Sequence, residues 1–284
     1  MKVGAIASLW RYPVKSMQGE EAREAVLTER GLRGDRAFAV QERATGHIAS
    51  AKHPRKWSPL FACRAEYVEA PQPDCALPSV RITLPDGAVI DSDDPNVDAV
   101  LSRALGREVT LLAEPPVELT READRSPVDA PASQDIRQET MAFAAPGTFF
   151  DYAPLHLLTI ATLARLQALY PEGRFEARRF RPNLLIATEA DAGGFIENAW
   201  LKRSLRIGTE VRLHLIDPCP RCIVTTLAQG DLPRDTEILR TIAQYNAVAS
   251  ATLAPGVVLP AVAGVYANVT EDGWLRCGDP VWLE

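Results

Sequence analysis

Over the first 113 positions, apolar and polar residues fall in short runs broken by turn residues. Residues 3–12 (VGAIASLWRY), 37–42 (AFAVQE), 57–68 (WSPLFACRAEYV), 80–84 (VRITL) and 109–114 (VTLLAE) read as strands, separated by turn signals such as ATG and PDG. One helix interrupts them. Asp94-Pro95-Asn96 gives a cap-like start, Val97, Val100, Leu101 and Leu105 recur at helical spacing, and Gly106 supplies a stop. Residues 114–147 are richer in Pro, Asp, Ser and Ala and predict a connector, lid or mobile loop.

Beyond it, residues 155–171 (LHLLTIATLARLQALYP) carry apolar positions at helical spacing until Pro171. Residues 182–188 predict a strand, 205–207 and 211–216 a hairpin, Cys219-Pro220-Arg221-Cys222 a turn, and 223–228 (IVTTLA) a further strand. Residues 234–246 have helical spacing again, and 264–270 with 279–284 close the chain as strands around the turn Glu271-Asp272-Gly273. The sum is a strand-rich α+β protein, with helices inserted among mainly antiparallel strands. Its 284 residues are enough for one large domain or two ordinary ones, separate or interlocked.

Composition narrows the class. Hydrophobic residues at 46% and charged ones at 24% are globular values, and no segment is long and apolar enough for a bilayer. Arg11 interrupts the first apolar stretch and no small-residue cleavage site follows it, so the N-terminus reads as a strand and the protein as soluble. Five scattered cysteines do not make a disulfide framework, and a cytoplasmic location is expected. A net charge of -6 argues against nucleic acid as the main partner while leaving room for a small anion held by local arginines.

Candidate chemistry centres on Cys219 and Cys222. A CxxC taken alone is open to a zinc half-site, a dithiol redox pair or a buried structural pair. Structural zinc needs two clustered ligand pairs, and here the other Cys and His47, His53, His156 and His214 stand singly. A thioredoxin-like pair should open a helix, whereas the β-branched sequel reads as strand. Arg221 between the two thiols favours a thiolate, the form that binds a metal or attacks. His156, on an apolar face, reads as a satisfied core histidine.

Cationic residues also sit where predicted strands end. Lys15 and Ser16 leave the first strand through a Pro13 turn, Arg36 enters the strand AFAV, and Arg178, Arg179 and Arg181 precede Asn183 and the strand LLIAT. Their bland explanation is an ion-pair network with the surplus carboxylates. A polyanionic ligand with a phosphate and ring heteroatoms would unify them.

Residues 9–40, with YPVKS and GDRAFAV, resemble the β-rich N-terminal domain found ahead of MOSC domains. DYAPLHLLTIATL, RFRPNLLIAT, CPRCIVTT and GDPVWL resemble the MOSC domain itself, and the landmarks keep the expected order from residue 10 to 283. The resemblance implies a MOSC-type β-barrel with inserted helices over residues 121–284, after a β-rich domain over residues 1–120. Its best-understood members, the amidoxime reducing components, hold molybdenum through a molybdopterin dithiolene and one protein cysteine. By motif that cysteine is Cys222, while Lys15, Ser16, Arg36, Arg181, Asn183 and Arg221 would hold pterin and phosphate, with Tyr266 near the cofactor.

The implied activity is reduction of small N-hydroxylated compounds, such as amidoximes and N-hydroxylated bases, to amidine or amine plus water. A sulfur carrier or molybdenum-cofactor handler with a persulfide on the same cysteine is the alternative. The chain departs from eukaryotic members with Tyr152-Ala153 in place of Thr-Ser and Pro220 in place of Ser. It shows no N-terminal membrane anchor or C-terminal ferredoxin-like extension, so electrons are expected from a separate donor protein, with no membrane or nucleic-acid partner.

Overall fold

A computed structural model describes residues 1–126, 133–141, 147–189 and 193–284. Its centre is a closed barrel of seven strands. Taken around the ring, they are Lys2–Arg11, Leu184–Thr188, Leu155–Thr159, Val262–Glu271, Val211–Pro220, Ser204–Ile207 and Pro280–Leu283, which pairs back onto Lys2–Arg11. All neighbours are antiparallel except Leu155–Thr159 with Leu184–Thr188, the parallel pair that the helix Ile160–Leu169 bridges. Inside the ring, alternate residues such as Ile6, Leu157, Leu184, Leu205, Leu213 and Val265 form one apolar core. A strand-rich α+β fold with a barrel and inserted helices is thus what the chain adopts.

Around a second core, built on Val14, Val40, Trp57, Leu60, Ile82 and Leu101, lie the helices Pro54–Ala62 and Val97–Leu105 and the small sheets of residues 39–112. Gly106 ends the second of these helices in the left-handed conformation. Sequence halves interlock. The first strand belongs to the barrel, and Glu24–Thr28 pairs with Gly273–Arg276.

Four segments depart from the expected elements. Residues 155–159 form a strand, and the helix starts only after Thr159, whose Oγ1 accepts from the Thr162 amide at 3.1 Å. Five consecutive buried positions fit a strand covered on both faces as well as a helix, and pairing on both edges decides for the strand. Residues 54–62 are helical, entered through Pro54 and kinked at Trp57, because burying Trp57, Leu60 and Phe61 on one side outweighs the Pro59 disruption. Residues 223–226 form a short 3-10 helix whose Thr225 and Thr226 hydroxyls donate back to the Cys222 and Ile223 carbonyls, satisfying backbone acceptors that a strand would have paired. Cys219 and Pro220 accordingly end the Val211–Pro220 strand, and only Arg221 and Cys222 lie outside it.

Within the expected connector, Thr120–Asp124 pairs with Ile136–Thr140 as a hairpin, and residues 127–132 and 142–146 lie outside the described residues. Alternation in Arg121, Ala123 and Arg125 is the strand signal there.

Gly264 marks a close approach of two barrel strands. Gly264 has φ +85, and a Cβ on it would stand 2.3 Å from both His156 Nε2 and the Leu157 carbonyl oxygen. Gly264→Ala is expected to lower the unfolding free energy by about 3 kcal/mol, through the left-handed backbone and the forced separation of two barrel strands. Denaturant titration at constant m-value checks this.

Candidate active site

Between the barrel mouth and the segments at residues 15–52 and 121–125 lies a cleft of about 420 Å³. Lys15, Arg36, Arg181 and Arg221 line it, joined by Lys52, Arg121 and Arg125, and among the described residues only Asp151 offers a carboxylate there. Asp35 behind Arg36, and Glu139 behind Arg121 and Arg125, take part of this charge, and the surplus of cations that remains, in a protein of net charge -6, suits a polyanion. Ser16, Asn183, Cys222 and Tyr266 line the same cleft, so the eight residues that the family resemblance placed at the cofactor converge.

Their positions follow from local backbone geometry. The first strand leaves the barrel at Arg11, and Tyr12 then donates its backbone N–H to Asp35 Oδ1 at 2.7 Å. Ser16, in the left-handed region at φ 69, turns the chain and accepts at Oγ from the Ala51 amide at 3.2 Å. Lys15 Nζ donates to the Phe149 carbonyl and to Asp151 Oδ1, each at 2.8 Å. Burial pulls the Lys15 ammonium down to about 8 despite Asp151. Asp151, though burial opposes its charge, is held far below the usual carboxylate range by Lys15 and Arg121.

Arg36 and Arg181 both take left-handed backbone conformations, at φ 47 and 54. Their guanidinium carbons stand 4.4 and 4.6 Å from the centre of the Tyr12 ring. Arg36 also pairs with Asp35, and Arg181 donates to the Met17 carbonyl. Asn183 donates to Asp35 Oδ2 at 2.9 Å and to the Trp10 carbonyl at 3.2 Å, and accepts from the His156 amide at 3.1 Å. Its amide ties three segments together, so it acts as a brace for the neighbouring Arg181. Arg179, fully buried, braces the 3-10 helix through the carbonyls of Thr225 and Leu227, and Arg178 is paired with Glu176 and Asp231, so neither reaches the cleft.

Two cysteines of the CxxC have different surroundings. Cys219 is fully buried and accepts from Arg221 Nη1 at 2.7 Å, while Cys222 is half-buried in the cleft wall. Arg221 therefore hydrogen-bonds the first sulfur, and its influence on Cys222 is electrostatic. Its Nη2 donates to the Phe180 carbonyl at 2.6 Å, and its buried Nε has no protein partner among the described residues. Burial opposes the Arg221 charge, yet Cys219, Tyr266 and Cys222 together hold its proton more firmly than usual. An orphaned cationic donor in a cationic cleft fits an anionic guest.

Burial drives the Tyr266 hydroxyl well above its ordinary value, with Cys219 adding to the effect. His156 sits on the strand beside it, its Nε2 3.0 Å from the Ala263 carbonyl, and burial lowers it to about 3. It is a neutral, satisfied core residue, as expected, although on a strand. No group of three or more His, Cys, Asp or Glu is placed to hold a metal among the described residues. Lys52, Arg121, Arg125, Asp151 and Tyr152 were not legible as site residues. Period-two spacing of Arg121 and Arg125 was the available signal.

A family model described as MOSC domain matches residues 145–282, and one described as MOSC N-terminal beta barrel domain matches residues 3–83. "Mitochondrial amidoxime reducing component 2" of Macaca fascicularis is 30% identical, over 99% of this chain and 84% of that protein. The chain belongs to the MOSC family. The human protein of the same name is 29% identical with the same coverage, and "Mitochondrial amidoxime-reducing component 1" of Mus musculus is 27% identical over 99% of this chain and 83% of its own. The cleft lies where the two MOSC-related regions meet, with cations from both. No helix among the described residues is long and apolar enough to cross a membrane.

Lys15 gives the cleft a pH signature. The folded protein releases its proton near pH 8 and the unfolded chain near 10.5, so unfolding takes up a proton between those values. The Lys15 contribution to stability therefore rises with pH across that window, while attraction for an anion in the cleft falls. Inorganic phosphate titrated by calorimetry at pH 7 and pH 9.5 is expected to bind about tenfold more weakly at the higher pH, and Lys15→Met should remove most of that difference.

Proposed function

We propose that this MOSC protein is a molybdopterin-dependent reductase of N-hydroxylated compounds. The observation that carries the proposal is the half-buried Cys222 thiol set in a cleft lined by seven cations and one carboxylate. A single soft sulfur without companion ligands suits a metal that arrives already held by its own organic dithiolene. Converging cations and the unpartnered Arg221 Nε suit the phosphate and ring heteroatoms of such a group. A sulfur carrier that does not itself hold the cofactor would have no task for them. The relatives named for amidoxime reduction support the choice of reaction.

In this reading Cys222 supplies the protein sulfur to molybdenum. Lys15, Ser16, Arg36, Arg181 and Arg221 hold the pterin and its phosphate, and Asn183 keeps Arg181 in place. The bound cofactor would supply a reduced metal centre able to give two electrons to the N–O bond and take up its oxygen, the products being amine or amidine and water once two protons are delivered. The chain's own residues bind, orient and set charge. Tyr266 keeps its proton through neutral pH and can donate a hydrogen bond into the cleft, whereas His156 stays neutral and tied to the Ala263 carbonyl. Cys219 anchors Arg221 and makes no metal bond. A separate protein delivers the electrons. The division of the chain into a region to residue 120 and a MOSC region from 121 belongs to the same proposal.

Expression in a host that makes molybdenum cofactor tests this directly. The wild type should carry molybdenum and pterin and reduce benzamidoxime with an artificial electron donor. Cys222→Ala should lose the metal and at least a hundredfold of the activity, and Cys219→Ala should retain metal. Bound zinc with no molybdenum in the wild type would overturn the assignment, as would equal metal loss from both variants.

A further inference from the structure

Two residues before Cys219, Asp217 is fully buried and forms no ion pair among the described residues, yet its carboxylate is among the most heavily hydrogen-bonded groups there. Oδ1 accepts from the Ala251 amide at 2.8 Å and Ser250 Oγ at 3.1 Å. Oδ2 accepts from the Thr252 amide at 3.0 Å, Thr252 Oγ1 at 2.8 Å and the Leu253 amide. Although burial opposes the charge, these donors hold the carboxyl below its ordinary range. Successive backbone N–H groups wrapped around one carboxylate make an anion nest, turned here to fastening a surface segment onto a barrel strand. Ser250 Oγ closes it by accepting from the Ala254 amide at 2.8 Å.

The fastened segment reaches the cleft. Leu253 is part of its wall, and Thr252 Oγ1 lies 2.8 Å from the hydroxyl of Tyr152, which also reaches Asp217 Oδ2 at 3.5 Å. Tyr152 is thereby gripped at its hydroxyl end. Its ring lines the cleft and meets Tyr266 edge-on, with centroids 5.2 Å apart and planes at 70°. Pro220 and Val224, flanking Cys222, are apolar liners of the same cleft. A cleft with so many cations thus keeps one aromatic and aliphatic wall near its reactive sulfur, and that wall is braced by a buried carboxylate.

We propose that Tyr152 is the specificity-determining residue for substrate and that Asp217 is its positioning residue. The wall they build selects flat, conjugated, uncharged N-hydroxy compounds over small aliphatic ones. A fixed phenol ring offers its face and edge to a planar π-system at little entropic cost, and Leu253 covers a second side. An aliphatic substrate gains only general apolar contact there. This rests on the reductase reading, and deepens it by assigning the part of the cleft that the cofactor residues do not use.

The test compares benzamidoxime with acetamidoxime as substrates of the cofactor-loaded protein, and separately titrates benzamide, a flat analogue that cannot be reduced, against the chain as isolated. For Tyr152→Ala the ratio of kcat/KM between the two substrates should fall about tenfold, mainly through KM for benzamidoxime, and benzamide should bind about tenfold more weakly. Tyr152→Phe keeps the ring but loses its hydroxyl anchor, and should lower the ratio less than Tyr152→Ala does. Asp217→Asn points an NH2 group at backbone donors and should lower the ratio several-fold by letting the intact Tyr152 ring shift. Unchanged ratios in Tyr152→Ala and Asp217→Asn would overturn the proposal. Loss of folding in Asp217→Asn leaves Tyr152→Leu, which keeps bulk without a ring, to decide it. If the wild type carries no molybdenum, the reductase reading fails, and equal benzamide binding by wild type and Tyr152→Ala sinks the wall on its own.

Discussion

One carboxylate, Asp35, ties the site to the fold. It accepts from the Tyr12 amide where the first strand leaves the barrel, from the Asn183 side chain where another strand begins, and from the Arg36 guanidinium. Those three donors come from segments distant in sequence. Each stands next to a cleft residue or is one: Lys15 follows Tyr12 by one turn, and Arg181 precedes Asn183 by two residues. Held by a buried acceptor, the three segments have little freedom to separate, because a buried carboxylate stripped of any of its donors costs several kcal/mol. Convergence at the cleft is a consequence of that contact.

Convergence has an electrostatic cost that the structure meets in several ways. Like charges brought together inside a protein repel strongly, and burial disfavours each of them besides. Lys15 and Arg181 register it directly, drawn down to about 8 and about 10 by burial. Asp35 and Asp151 offset part of the repulsion, and the face of Tyr12 takes up two guanidinium groups. Main-chain carbonyls of Met17, Phe149 and Phe180 take much of the remaining hydrogen bonding. A surplus of positive charge persists, and the stability forgone in holding it is what gives an anionic guest its binding energy.

Much of this was visible in the sequence because the cationic residues stand at strand ends, and strand ends cluster at the mouth of a barrel. Lys15, Arg36, Arg181 and Arg221 could each be found as a charge placed awkwardly beside an apolar run. The carboxylates that organise them could not. Asp35, Asp151 and Asp217 sit in ordinary polar contexts, and their importance arises from donors that folding brings from distant positions. Residues 155–159 and 223–226 were misread for related reasons. An apolar run carries no information about whether it will be paired on both edges, and a β-branched residue with a hydroxyl can satisfy a carbonyl locally instead of joining a sheet.

The closure of the barrel has a temporal side. Met1 and Leu283, 282 positions apart, exchange hydrogen bonds through the Met1 amine and the Leu283 amide. The first strand is made long before either of its ring neighbours, so only its end at Leu9–Arg11, which pairs with Glu20–Ala22, has a nearby partner while more than half of the chain is made. Tyr12, Lys15 and Ser16 hang from that strand. The turn that carries Lys15 and Ser16 is therefore fixed to the ring only after both distant neighbours of the first strand have been made, and until then the open edge of that strand must be kept from pairing with the wrong partner.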